Sequence, residues 1–188
     1  MNIQFVILVF GLNLSAVAAF SHGVVTLACT TRTPNHGGNI ASVLQPPYSV
    51  TTDVSNYTEG QVITVTLQAN QTEFRGFLLQ ARNEMGPVGT FTVAGSNAQL
   101  LSCEGQQDSS VSHNSNVNKS TIVVQWKAPY TNNRDIHFRA TVVQTFSVFW
   151  VGIESDPIRF VGNSSPSVSL TAHLLLLPLL AIHFIRTT

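Results

Sequence analysis

Residues 121–153 read TIVVQWKAPYTNNRDIHFRATVVQTFSVFWVGI, and this stretch decides the fold of the chain. Its first eight residues are rich in β-branched and aromatic side chains, which favour strands. Pro129 has no N–H for a strand ladder and ends this run. Thr131 and the two asparagines after it are turn formers. The pattern predicts an antiparallel hairpin whose first strand ends at Pro129.

The side chains alternate again from Ile136, so that Phe138 and Val142 share a face with it, and residues 146–153 form a further aromatic strand. We expect the stretch to fold as the hairpin plus this third strand. Its large apolar side chains, Trp126, Phe138 and Trp150, are expected in the core.

Several segments of the chain carry a resemblance to a known family. They are WKAP at 126–129, FRATVV at 138–143, FWVGI at 149–153 and FRGFLLQAR at 74–82. With Gly23, Cys29, Pro34 and His36 upstream, these segments resemble the reeler domain over residues 20–161. Trp126, Pro129, Phe138 and Trp150 are taken as signature positions. The resemblance implies an extracellular module like those of reelin, spondins, insect defence proteins and ferric-chelate reductase-like membrane proteins.

The remaining chain predicts further strands at intervals of roughly ten residues. They are expected at 20–31, 59–69, 74–81, 88–94 and 100–103, with the strand at 74–81 central because it is continuously apolar. Residues 104–120 contain no apolar run and are predicted to form a long surface loop. About eight or nine strands without an amphipathic helix favour an all-β, Ig-like antiparallel two-sheet sandwich. Trp126 follows both cysteines, so "Ig-like" describes the layers only.

Both ends of the chain are apolar and are predicted to be targeting segments. Residues 1–19 end in small residues and are typical of a signal peptide, the alternative being a buried helix or an uncleaved anchor. Residues 163–188 are typical of a glycosylphosphatidylinositol (GPI) attachment signal, with Asn163 as the attachment residue. A single spanning helix is the alternative for this tail. The reeler domain itself is expected to occupy residues 20–162.

Two cysteines, Cys29 and Cys103, remain after removal of the signal peptide. An even cysteine count in a secreted chain predicts one disulfide, the alternative being two free thiols or a metal pair. Both cysteines also match positions of the reeler domain.

Four Asn-X-Ser/Thr sequons predict N-glycosylation, at Asn56, Asn70, Asn118 and Asn163. The first three are expected in turns or loops. At Asn163 a glycan and a GPI bond would compete.

The charge and motif content argues against several classes of function. The formal net charge is zero, from nine basic and nine acidic residues, so we expect no nucleic-acid partner. The six histidines are not spaced as metal ligands, and neither a nucleophile elbow nor a phosphate-binding glycine loop occurs. We therefore predict a non-enzymatic protein without metal or cofactor.

These observations predict a cell-surface module that binds an extracellular protein or glycan ligand and is held at the membrane by its C-terminal anchor. The alternative is a secreted innate-defence protein, as the resemblance to insect defence proteins implies. An accessory relative of the ferric-chelate reductases is less expected, because in those proteins separate haem-binding domains carry the electrons.

Overall fold

The computed structural model describes residues 22–131 and 134–162. It confirms an all-β sandwich. The described residues contain one 3₁₀ turn, Thr26–Ala28, and twelve strands. The strands are β1 (Tyr48–Thr52), β2 (Asn56–Tyr57), β3 (Val62–Ala69), β4 (Gly76–Asn83), β5 (Gly86–Pro87), β6 (Thr90–Thr92), β7 (Ala98–Cys103), β8 (Gln106–His113), β9 (Thr121–Lys127), β10 (His137–Thr145), β11 (Val148–Glu154) and β12 (Arg159–Phe160).

Two antiparallel sheets form the layers of the sandwich. The four-stranded sheet has the order β1-β3-β9-β6. The six-stranded sheet has the order β11-β10-β4-β8-β7, and β5 pairs with β4 beside this path. A short ribbon joins β12 to β2 in parallel near the point where the described chain ends.

The four-stranded sheet follows from strict alternation along its central strands. In β9, Ile122, Val124 and Trp126 are buried, whereas the residues between them, such as Val123 and Gln125, are exposed. Side chains point alternately to opposite faces of a strand, so this sheet covers the core with one face and presents the other to solvent.

The six-stranded sheet is different because it is covered on both faces. In β4 every residue from Gly76 to Ala81 is buried. Phe77 and Leu79 belong to the main core between the sheets, while Leu78 packs in a second cluster on the outer face. The prediction that residues 74–81 form a central strand is confirmed, since β4 pairs with both β10 and β8.

The predicted hairpin between residues 121–128 and the strand after Ile136 is wrong. β9 lies in the four-stranded sheet and β10 in the six-stranded sheet, so the chain crosses between the layers after Pro129. Both strands turn one face to a common core. Their side chains therefore alternate in the same way whether the strands pair in a hairpin or lie in opposite sheets. Trp126 and Phe138 meet edge to face across the layers, with ring centroids 5.3 Å apart. β10 instead forms a hairpin with β11.

The large side chains expected in the core lie there. Trp126 and Phe138 are 0% exposed and Trp150 is 7% exposed. The Trp126 indole N–H donates to the carbonyl of Val88, 2.9 Å away. Gly89 allows this close approach, because a Cβ at that position would lie 2.4 Å from the Trp126 Nε1 atom.

The strand predicted at residues 20–31 is wrong for its described part. Residues 22–47, which we call the N-terminal segment, contain no strand and only the 3₁₀ turn. The backbone φ angles of +69° at Gly23 and +55° at Arg32 turn the chain out of an extended conformation. Val24 and Thr26 are exposed and Val25 is only half-buried, so the β-branched composition of this stretch indicated neither strand pairing nor burial.

The predicted surface loop at residues 104–120 is also wrong, because it contains β8. Residues Ser109 to His113 are all buried in this strand. Its serine hydroxyls form hydrogen bonds with the neighbouring strand β4. Ser110 accepts from the Gln80 amide at 3.1 Å, and Ser112 donates to the Phe77 carbonyl at 3.0 Å. A strand buried through small hydroxyl side chains gives no apolar pattern in the sequence.

We predict that Trp126→Phe lowers the free energy of unfolding by about 2–4 kcal/mol, because it leaves a cavity and removes the donor to the Val88 carbonyl. The matched control is Val123→Ala, an exposed position on the same strand, which should stay within about 0.5 kcal/mol of wild type. Chemical unfolding measures both. Equal losses in the two variants would contradict the assignment of Trp126 to the core.

Candidate functional site

The N-terminal segment covers the outer face of the six-stranded sheet. Cys29 and Cys103 form a disulfide with a Cα–Cα distance of 5.3 Å, and the pair packs against Leu78 and Leu101. The Gln80 amide donates to the Cys29 carbonyl at 3.2 Å. The segment is thus held to the sheet covalently, by apolar contact and by a buried hydrogen bond.

Two further contacts fix the segment along its length. The hydroxyl of Thr141 donates to the carbonyl of Arg32 at 2.5 Å. At the start of the segment, Gly23 passes so close to β8 that a Cβ there would lie 1.5 Å from the His113 carbonyl oxygen. Only a glycine fits this contact.

Charged side chains converge beside the covered part of this outer face. Arg32, Arg82, Arg134 and Arg139, four of the nine basic residues of the chain, line one cleft. We call these four residues the arginine cluster. Asn83, Glu84, Asp135 and His137 line the same cleft.

Carboxylates hold three of the four arginines. Arg82 Nη1 lies 3.1 Å from Glu104 Oε1, and Arg134 Nη1 lies 3.3 Å from Glu84 Oε2. Arg139 Nε lies 2.9 Å from an oxygen of Glu154, although its N–H is not aligned for a hydrogen bond.

Arg32 is held differently. Its guanidinium donates to the Thr30 carbonyl at 3.1 Å. Burial lowers the pKa of Arg32, and repulsion from Arg82 and Arg139 lowers it further. Glu104 and Glu154 act in the opposite direction, so the Arg32 guanidinium lies among both arginines and carboxylates.

Lys119 is a buried cation that the sequence pattern did not reveal. Its side chain is almost completely buried, and its ammonium group donates to the carbonyl oxygens of Arg75, Ser115 and Val117 at 2.7–2.8 Å. Burial lowers its pKa. The lysine ties down the loop before β9 and so fixes the position of Asn118.

The described sequon asparagines are all exposed but lie at two ends of the sandwich. Asn70 follows β3 and Asn118 precedes β9, where the backbones of these strands meet through a 2.8 Å hydrogen bond from Ala69 to Ser120. Asn56 lies in the short strand β2 rather than in a turn, at the opposite end. Their glycosylation stays a prediction, and Asn163 lies outside the described residues.

The described chain leaves the fold at the Asn56 end. The amide of Val161 donates to the Tyr57 carbonyl at 2.9 Å, beside that sequon. β3 contains eight residues and spans about 26 Å, so the end that carries Asn70 and Asn118 lies roughly this far from the exit point. We call it the distal end.

Five exposed apolar side chains lie near the distal end, on the edge formed by β11 and the N-terminal segment. His36 stacks on Phe146 with ring centroids 4.7 Å apart, and the Ser42 amide donates to the Phe149 carbonyl at 2.8 Å. These contacts place the loop at 36–44 against the β10–β11 hairpin. The exposed side chains, which we call the apolar end patch, are Ile40, Val43, Leu44, Phe146 and Val148.

Within the described residues, no group of three or more His, Cys, Asp or Glu side chains is placed to hold a metal ion. No helix among the same residues is long and apolar enough to cross a membrane. The predicted signal peptide and GPI signal lie outside the described part of the chain.

A sequence model described as the Reeler domain matches residues 27–166, well over half of the chain. The chain belongs to the reeler domain family. The solved structure of the human F-spondin reeler domain is similar in fold, with a TM-score of 0.54 and 21% sequence identity. The match covers 66% of this chain and 96% of that domain.

Two kinds of relative share this reeler domain. "Putative ferric-chelate reductase 1" from Danio rerio is 40% identical over 159 residues, which cover 82% of this chain but only 28% of that protein. "Putative defense protein 3" from Antheraea mylitta is 35% identical over 152 residues, which cover 80% of this chain and 92% of that protein. This chain therefore spans only a minor part of the reductase relative but nearly the whole of the defence relative.

Proposed function

We propose that this reeler domain is a non-enzymatic recognition module outside the cell, and that it binds a protein partner through the apolar end patch. The observation that carries the proposal is the position of the patch, at the end of the sandwich opposite to the point where the described chain exits. An attachment that follows residue 162 would present this end to the surroundings.

The chemistry of the patch supports an uncharged protein surface as the occupant. Val43 is 96% exposed and Ile40 is 83% exposed, which is unusual for side chains of this kind. The two segments that form the patch, residues 33–52 and 140–153, contain no Asp, Glu, Lys or Arg. A surface without charge gives no attraction for nucleic acid or for an anionic polymer, whereas it can bury apolar area against a partner.

A second candidate function is innate defence. It is favoured by the match with "Putative defense protein 3", because that match extends over 92% of the relative. In this case the protein would be released, and the same patch would contact a microbial surface. Reductase activity is not proposed, because this chain matches only 28% of the reductase relative.

We predict that the protein is displayed on the outer leaflet by a GPI anchor. Phosphatidylinositol-specific phospholipase C added to intact expressing cells should then release it into the medium. Retention after the enzyme treatment would indicate a spanning helix. Spontaneous appearance of the native protein in the medium without enzyme would support the defence candidate.

We predict that the double substitution Val43→Glu and Leu44→Glu lowers binding of the multimerised protein to partner cells at least tenfold, because charges on the patch must be desolvated in the complex. The matched control is Val62→Glu and Val123→Glu, on the exposed face of the four-stranded sheet. Flow cytometry measures both. An equal loss of binding in the control variant would contradict the proposed role of the patch. Undiminished binding to protease-treated cells would also contradict it, and so would binding to neutral lipid vesicles.

A further inference from the structure

The cleft lined by the arginine cluster is a concave surface separate from the apolar end patch. It has a volume of about 760 Å³, within the range of roughly 300–1,000 Å³ that is usual for sites that bind small ligands or side chains. It lies on the outer face of the six-stranded sheet, beside the N-terminal segment. Its walls come from β4, β10 and this segment.

The inner part of the cleft carries an excess of positive charge. Three guanidiniums are close enough to interact electrostatically there, namely Arg32, Arg82 and Arg139, and they share two carboxylates, Glu104 and Glu154. One unit of positive charge is therefore left over. His137 also faces Glu154, with 3.8 Å between its Nδ1 and Oε2.

The inner arginines are positioned before any ligand arrives. Arg82 Nη1 donates both to the Gln80 side-chain oxygen and to Glu104, each at 3.1 Å, and its side chain is only 12% exposed. A guanidinium has five N–H donors in a rigid plane, and Arg82 Nη2 also donates to Glu104 Oε2 at 3.5 Å, so two donors of Arg82 remain after these contacts. Arg32 is placed at the cleft by a positive φ of 55°, a backbone conformation that non-glycine residues rarely adopt.

The rim of the cleft limits what can enter. The pair of Arg134 and Glu84 lies at the rim with both side chains largely exposed, and Asp135 is exposed beside it. Arg134 and Glu84 neutralise each other, so Asp135 leaves one unit of negative charge at the rim, which opposes a polymer with many anionic groups. A ligand with one carboxylate is matched by the inner excess of one positive charge.

We propose that the arginine cluster binds a single carboxylate group, presented by an acidic side chain of a protein or peptide ligand. Arg32 and Arg82 bind the carboxylate through their guanidiniums, and Arg139 adds a weaker attraction because Glu154 partly neutralises its charge. Glu104 and Glu154 orient the arginines. This site goes beyond the proposed recognition through the apolar end patch and does not depend on it.

The test uses the full chain labelled with ¹⁵N-arginine, observed by NMR at the guanidinium Nε–H resonances. The probe is the peptide acetyl-Gly-Glu-Gly-amide, and acetyl-Gly-Gln-Gly-amide is its neutral control. The glutamyl peptide should shift the Arg32 and Arg82 resonances saturably, and the glutaminyl peptide should not. Identical responses to the two peptides would overturn the proposal.

Variants of the protein locate the site. Arg32→Gln should weaken binding of the glutamyl peptide at least tenfold, because one charged hydrogen-bonding partner is lost. Arg32→Lys should retain part of the affinity, since it keeps the charge but not the planar fork. Arg159→Gln, an exposed arginine in β12, is the matched control and should bind as wild type does. Equal affinity of Arg32→Gln and wild type would overturn the proposal, as would binding of dextran sulfate at this cluster without any response to the glutamyl peptide.

Discussion

Both faces of the six-stranded sheet must be shielded from solvent, and the structure depends on how the outer face is covered. The inner face packs on the four-stranded sheet. The outer face is covered by an irregular segment that the Cys29–Cys103 disulfide and the Gln80 hydrogen bond hold in place. Burial of β4 and β8 on both sides follows from this cover. Closing a loop with a sequence separation of 74 residues contributes about 4 kcal/mol in the chain-entropy model.

The sequence was sufficient for the fold class and for those strands that alternate. Val62–Ala69 and Thr121–Lys127 show clear alternation, and both are strands with one buried face. The sequence was not sufficient to predict the sheet to which a strand belongs. Alternation shows which face of a strand is buried, but it does not show which strand it pairs with. This is why Thr121–Lys127 and His137–Thr145 were assigned to one hairpin although they lie in opposite layers.

The sequence pattern does not reveal β8 and the candidate sites for another reason. Polar side chains are buried there because they pair with one another, and such residues give no apolar pattern. Ser110, Gln80 and Lys119 are all buried with hydrogen-bond partners distant in sequence. The arginine cluster likewise combines residues from the N-terminal segment, β4 and β10, whose proximity only the sheet register shows. The cover of the outer face thus places a charged cleft beside the disulfide, while the apolar end patch lies on an uncharged edge. The two surfaces differ in chemistry and can engage different features of a partner.

The Cys29–Cys103 disulfide holds the N-terminal segment as a cover over the outer face. Hydrogen–deuterium exchange of the native protein, compared before and after reduction of Cys29–Cys103, tests it most directly. Exchange should accelerate strongly in residues 22–47 and in β8, whereas β3 and β9 of the opposite sheet should keep more of their protection. Unchanged protection of residues 22–47 after complete reduction would contradict it.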